Sequence, residues 1–306
     1  MTAPTLDAPA PAIPTGRIST GPQGYRDWRG QRKDRLHRLL ALATGEAMAN
    51  LKNVASLVLT IFTGLYVLGV TFALISALYF LGQFADPESP LVSFGGAYMA
   101  TYMMVAVIPA MVVLSAGLGS KLIADDFASR SIVLYFCRPL HRTDYLVGKL
   151  LSLEFILIFF SLVPALIFNI SGLSIGTIDA IDRNEKLWTL PVTVLISLLC
   201  IVFWGTLGLA FSAFFKRRGW AFAAVLALVL FSFLFSNLLV AITHQNMLSY
   251  FSLIDDWHDV LNWVYQQPDT PGRPPAGAAA VLGGVLALCW GLMFHRMSVA
   301  DIEVES

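Results

Sequence analysis

The chain of 306 residues is 57% hydrophobic and only 13% charged, and its formal net charge is zero. Soluble domains carry roughly 25% charged residues, so this composition excludes an ordinary water-soluble protein, and no nucleic-acid partner is expected. The three cysteines show no C-x-x-C spacing, which excludes a disulfide framework and a cysteine metal site.

The first 24 residues contain five prolines, few large apolar side chains and no periodicity. This composition predicts a disordered tail. A basic region followed by an apolar stretch is missing, so the segment is not expected to be a signal peptide.

Residues 25–55 are predicted to form an amphipathic helix at the membrane surface, because apolar residues recur at helical spacing and basic residues precede them. Leu42 falls outside this apolar stripe. The alternative is a positively charged flank without a mechanical role. The residues of the stripe are Leu36, Leu39, Leu40, Ala43, Ala47 and Leu51.

Six later segments are apolar and long enough to cross a membrane, since a hydrocarbon core of about 30 Å needs roughly 20 helical residues. The sequence therefore predicts an all-α integral membrane protein, with a transmembrane domain over residues 25–306. The predicted spans are about 56–82, 95–118, 151–172, 190–214, 220–243 and 276–295.

The basic residues are divided unequally between the two sides of these spans. Seventeen of the twenty Lys and Arg residues fall on the side of the chain ends, and three fall on the other side, in 173–189 and 244–275. The positive-inside rule then predicts that both termini are cytoplasmic.

The segment 121–149, between the second and third spans, is the largest charged interruption of the apolar sequence. It holds five Lys or Arg residues and three Asp residues around the apolar run 132–136. A loop that is only solvated needs no such run, so the pattern indicates contact with a cytosolic partner. The alternative is a loop held at the lipid headgroups by its arginines.

Residues 244–275, between the fifth and sixth spans, contain apolar residues at helical spacing that are interrupted by Asp255, Asp256 and Asp259. The aspartates argue against a seventh span, so a non-spanning helix at the outer leaflet is predicted, followed by a proline-rich stretch. The alternative is an external loop with a helical turn. His258 lies among the carboxylates, where an interfacial role is favoured over a metal site.

The motifs of several enzyme classes are missing from the sequence. It contains no G-x-x-x-x-G-K-[ST] loop for ATP, no H-E-x-x-H zinc motif and no G-x-S-x-G nucleophile motif. Ionisable residues are nearly absent from the spans, where they would indicate an ion relay. The chain is therefore expected to bind no cofactor and to catalyse no reaction, and any transport would draw its energy from another subunit.

With these features in place, the chain resembles the permease subunits of type-2 ABC exporters, which have a type V exporter-like fold. Their cytoplasmic loop carries an acidic residue, Gly-Thr-Leu, an apolar run, Pro-Val-Ser-Arg and Gly-Lys. Arg130 departs from the Gly of that pattern and His141 from its Ser. The matching positions are Asp126, Ser131, Ile132, 133–137, Pro139, Arg142, Gly148 and Lys149.

The resemblance implies that 121–149 contains a coupling helix, which docks on a separate ATPase subunit. Phe127 and Leu134 are then apolar anchors, the Asp and Arg residues are a polar rim, and Pro139 ends the helix. The implied coupling residues are Asp125, Asp126, Phe127, Arg130, Leu134, Arg138, Pro139, Arg142 and Lys149.

The same resemblance implies an exporter in the inner membrane of a bacterium. Two ABC ATPase subunits would bind ATP and Mg, and a second permease copy would complete a homodimer. Membrane lipids and an extracytoplasmic accessory protein are further expected partners. The alternatives are a membrane anchor or assembly scaffold, an ion-coupled carrier and an intramembrane enzyme, and the substrate is left open.

Overall fold

The computed structural model describes residues 35–84, 95–129, 142–175, 187–215, 217–268 and 270–305. Within these ranges the chain consists of helices and turns, with no strand, which confirms the predicted all-α class. The predicted tail of residues 1–24 lies outside them.

Among the described residues, six helices are long and apolar enough to cross a membrane, as predicted. The second and fourth spans form the centre of the bundle, because 72% and 67% of their apolar windows are buried, against 17% in the first and the fifth. The spans are α2 (Val54–Phe84), α3 (Gly96–Tyr102, Ile108–Leu114 and Ser120–Leu122), α5 (Arg142–Ile175), α6 (Thr189–Phe214), α7 (Arg218–Thr243) and α9 (Pro275–Glu305).

Helix α5 begins at Arg142, well before the predicted start of the third span at residue 151. The prediction assigned the polar residues that open this helix to the cytoplasmic coupling segment 121–149. In the structure Asp144 and Lys149 are buried, so the helix continues through them. Glu154 therefore lies about 18 Å along α5 from its first residue.

The segments of α3 are joined by two π turns, Met103–Val107 and Ser115–Gly119. The first π turn is caused by Pro109, because this residue has no N–H to donate to the carbonyl of Val105. The hydroxyl of Tyr66 on α2 donates to that carbonyl instead. The carbonyl that lacks a backbone donor at this break in α3 is therefore satisfied by a side chain of the neighbouring span.

The second π turn lies where α3 crosses α6 at backbone contact. A Cβ atom on Gly208 would come within 2.3 Å of the carbonyl oxygen of Ser115, and one on Gly119 within 3.1 Å of the backbone of Gly208. Small residues allow this approach, as is common between membrane helices.

Helix α1 (Arg35–Lys52) precedes the first span and packs mainly against α5. Its buried face differs from the predicted stripe: Ala43 and Ala47 are buried, but Leu36 and Leu40 are exposed. Leu42 packs so closely on α5 that a Cβ atom at Gly148 would lie 2.6 Å from it. The buried face of α1 is therefore rotated relative to the predicted stripe. The cause is the packing of Leu42, which the sequence placed outside that stripe, against Gly148 of α5.

A non-spanning helix precedes the last span, as predicted. A 3₁₀ turn, Asn246–Phe251, leads into α8 (Leu253–Val264), whose first turn is capped by the Ser252 hydroxyl accepting from the N–H of Asp255 at 3.2 Å. Twelve residues span about 18 Å, too short for a bilayer. Helix α8 lies at the opposite end of the bundle from α1.

Candidate functional site

The predicted coupling segment begins at the end of the bundle that holds α1. A short helix, α4 (Ala124–Ala128), follows α3 there, and α5 begins beside it. We refer to this region as the α1 end. The opposite side, with α8, is the α8 end.

An ion cluster joins three helices at the α1 end. The Nζ atom of Lys149 on α5 lies 2.8 Å from Oε1 of Glu46 on α1 and 2.8 Å from Oδ2 of Asp126 on α4. The Tyr145 hydroxyl donates to the same Asp126 oxygen at 2.5 Å. The Lys149 side chain is only 2% exposed, and those of Glu46 and Asp126 are 21% and 14% exposed.

The burial of this cluster makes it energetically demanding. A buried ammonium loses its hydration, and nearby carboxylates and hydrogen bonds have to compensate for that loss. Lys149 has two carboxylate partners, and Asp126 accepts a further hydrogen bond from Tyr145. The start of the coupling segment is thus fixed to α1 and to α5 simultaneously.

Ser212, near the end of α6, holds the junction between α3 and α4. Its hydroxyl accepts from the N–H groups of Ile123 and Ala124, both at 2.9 Å, and donates to the carbonyl of Ser120 at 2.8 Å. One donor and two acceptor sites are all that a hydroxyl provides. The side chain is therefore saturated, and it replaces the backbone bonds that the helix loses at this break.

We predict that Ser212→Ala destabilises the protein by about 1–3 kcal/mol, because buried backbone groups at the junction lose their partner. Unfolding in detergent, followed by circular dichroism, measures the effect. Ser174→Ala is the matched control, since among the described residues that exposed hydroxyl bonds only to the carbonyl of Ile170 in its own helix. Equal stability of the two variants would contradict the role of Ser212.

Phe127 on α4 is half-buried, and the guanidinium of Arg296 on α9 lies 5.6 Å from its ring centroid. This distance permits a cation–π interaction. The predicted apolar anchor therefore has one face against the last span, while Asp125 and Ala128 of α4 and the following Ser129 are exposed.

The structure brings together some of the predicted coupling residues. Asp125, Asp126, Phe127 and Lys149 lie at the α1 end, although Lys149 is buried rather than available to a partner. Arg142 is the first residue of α5. Arg130, Leu134, Arg138 and Pro139 lie outside the described residues, so their roles stay predictions.

Sequence reasoning missed three members of this site: Glu46, Tyr145 and Ser212. A signal existed for Glu46, the single acidic residue in α1 among basic and apolar neighbours. A lone carboxylate in such a helix often has a cationic partner elsewhere in the fold. For Tyr145 and Ser212 no pattern in the sequence indicates the contact.

A second ion cluster lies at the α8 end. The guanidinium of Arg273 pairs with Asp256 and, at 2.8 Å from Nε to Oδ2, with Asp259, and all three side chains are at most 3% exposed. Thr270 donates to Asp259 at 2.8 Å, and Arg273 lies 4.7 Å from the ring centroid of Tyr250. The cluster ties α8 and its preceding turn to the loop before α9.

Burial raises the pKa of Asp256 to about 7, and the Arg273 guanidinium opposes that rise. His258 on the same helix is half-exposed and contacts Asn262. The part of the chain that the structure describes contains no group of residues suited to a metal ion.

Two comparisons with known proteins bear on this architecture. The family model described as "ABC-2 family transporter protein" matches residues 40–292, which covers most of the chain and all six spans except the end of the last. No match was found among curated proteins. Together with the six apolar helices, the family match shows a multi-pass membrane protein. The chain therefore belongs to the ABC-2 transporter family and is a membrane-spanning permease of the ABC transporter type.

Proposed function

We propose that this chain is the permease subunit of an exporter that docks a separate ABC ATPase through residues 121–149. Two permease copies would form a two-fold dimer, and each would hold one ATPase subunit. ATP and Mg would bind to that partner, since the chain has no phosphate-binding loop.

The ion cluster of Glu46, Asp126 and Lys149 is the observation that carries this proposal. A force applied to the coupling segment has to reach the spans, and this requires a stiff connection. The cluster links α4 directly to α1 and α5, and Ser212 adds a link to α6. Movement of the ATPase would therefore be transmitted to several helices instead of bending one loop.

The proposed orientation places the α1 end in the cytoplasm of a bacterium and the α8 end outside the inner membrane. The excess of Lys and Arg on the side of the chain ends supports it. In this orientation the substrate leaves past α8, where an extracytoplasmic accessory protein has access.

The docking of the ATPase is tested with Phe127→Ala combined with Leu134→Ala. Apolar anchors at interface centres contribute most of the binding energy, so we expect the ATPase to copurify at least about tenfold less while membrane insertion is unchanged. Arg296→Gln is the control, because it removes the contact of the Phe127 ring with α9 but leaves the ring in place.

Unchanged copurification in the double variant would contradict docking through 121–149. If Arg296→Gln reduced copurification of the ATPase to the same extent, the cause would be a displacement of α4 and not the missing apolar side chains. Reconstitution of the permease with its ATPase separates the rival functions: a scaffold would bind the ATPase without ATP-dependent transport, and an ion-coupled carrier would transport without the ATPase.

A further inference from the structure

A polar cavity of about 300 Å³ lies between α2, α3 and α7 at the α1 end, separate from the ion cluster of Lys149. Its polar lining includes two cationic side chains, Lys121 and Arg218, together with Asn53, Ser56 and Ser120. Gly219, in the first turn of α7, completes this side of the cavity. The family match and the proposed docking mechanism leave this cavity without a role.

Lys121 is the unusual member of the cavity. It is only 7% exposed, and its ammonium donates to the hydroxyl of Ser56. Among the described residues no carboxylate lies within ion-pair distance of it. Buried charges are usually paired, because a hydroxyl alone compensates poorly for the lost hydration of an ammonium.

The charged surroundings of Lys121 leave room for an anion. Asp125 and Glu46 act on it only from a distance, and Glu46 is already bound by Lys149. Arg218 adds a second positive charge, and its exposed side chain forms no ion pair with a described residue. Arg218 and Gly219 of the first turn of α7 both line the cavity, and the N-terminus of a helix favours a negative charge, as at phosphate sites.

The walls of the cavity indicate where such an anion would come from. Leu59 and Phe222 form its apolar side, and each lies about one helical turn deeper in its span than the polar Ser56 and Arg218. Trp220, beside the cavity in the first turn of α7, is 66% exposed. An exposed tryptophan at the end of a span is typical of the headgroup level of a bilayer.

We propose that this cavity binds the phosphate group of an anionic lipid, with Lys121 and Arg218 as its cationic ligands and Ser56, Ser120 and Asn53 as hydrogen-bonding partners. The acyl chains lie against the apolar wall of Leu59 and Phe222. A soluble phosphate anion has the same charged chemistry, but it would leave this wall without a partner. In the proposed orientation the lipid belongs to the cytoplasmic leaflet.

Native mass spectrometry of the purified full chain in detergent tests this inference. The probes are phosphatidylglycerol, phosphatidylcholine and inorganic phosphate. We expect phosphatidylglycerol to bind tightest, and Lys121→Gln with Arg218→Gln to weaken its binding by roughly tenfold or more. Each basic residue near an anionic lipid surface is worth about 1 kcal/mol, or about a factor of five.

The matched control is Lys52→Gln with Arg217→Gln, which removes two exposed charges at the same end of the bundle without changing the cavity lining. Arg218→Gln alone keeps the test valid if the Lys121 variant folds poorly, since that side chain is exposed. If both double variants lost the same amount of phosphatidylglycerol affinity, the proposed site would be contradicted, and the binding would be a diffuse attraction to the charged surface. Displacement of phosphatidylglycerol by inorganic phosphate would overturn the assignment to a lipid.

Discussion

Replacing Lys149 with methionine is expected to destabilise the protein by about 3–5 kcal/mol. The change leaves Glu46 and Asp126 close together without their shared cation, and both are largely buried. Methionine has about the same length as lysine, so lost packing contributes little. Thermal unfolding in detergent measures the effect, and Lys52→Met, at an exposed position, is the control.

A triple variant separates charge from shape in this cluster. Glu46→Gln, Asp126→Asn and Lys149→Met together remove every charge of the cluster, so no uncompensated ion remains. We expect the triple variant to regain much of the stability that Lys149→Met loses, because removing a whole buried ion network is often tolerated. If the single and triple variants were equally unstable, packing rather than charge would hold α1, α4 and α5 together.

Replacing Arg273 with glutamine is expected to open the α8 end of the molecule at neutral pH. Asp256 and Asp259 would then be buried without a cation, at a cost of about 3–5 kcal/mol. Hydrogen exchange of α8, corrected for the intrinsic rate at each pH, reports the opening. Arg217→Gln, which removes an exposed arginine at the other end, should leave this exchange unchanged.

The defect of Arg273→Gln should depend on pH in a defined direction. Burial already raises the pKa of Asp256 to about 7, and the loss of Arg273 removes the charge that opposes this rise. A raised carboxyl pKa favours the closed segment at low pH, and this contribution is lost as the pH increases through the raised pKa. The variant should therefore exchange nearly normally at about pH 5 and rapidly at about pH 8. A pH-independent defect would contradict the role of charge.

The order and number of the spans could be predicted from the sequence because each depends on its own apolar composition. The face of α1 could not, since it depends on a glycine of α5 about a hundred residues away. Helix α5 begins early for the same reason: Lys149 is helical and buried because Glu46 and Asp126 lie beside it. Local patterns contain no information about such partners.

The candidate site was predicted only in part. The acidic start of the coupling segment and the Gly148–Lys149 pair were identified by their resemblance to a family pattern. Their physical role in this chain, however, comes from contacts that the pattern does not contain. Ser212 is an ordinary residue in an apolar helix, and only the break between α3 and α4 gives it a function.

The two π turns of α3 change how the central span can adjust its shape. Each π turn contains one residue more than the α-helical turn it replaces, and one residue corresponds to about 100° of rotation around the helix axis. Moving such a turn along the helix exchanges one backbone hydrogen bond for the next. The side chains it passes then turn to a new face, while the helix keeps its length and both its ends keep their neighbours. The middle of α3, between its two π turns, is therefore the part of this central span that such a shift would rotate.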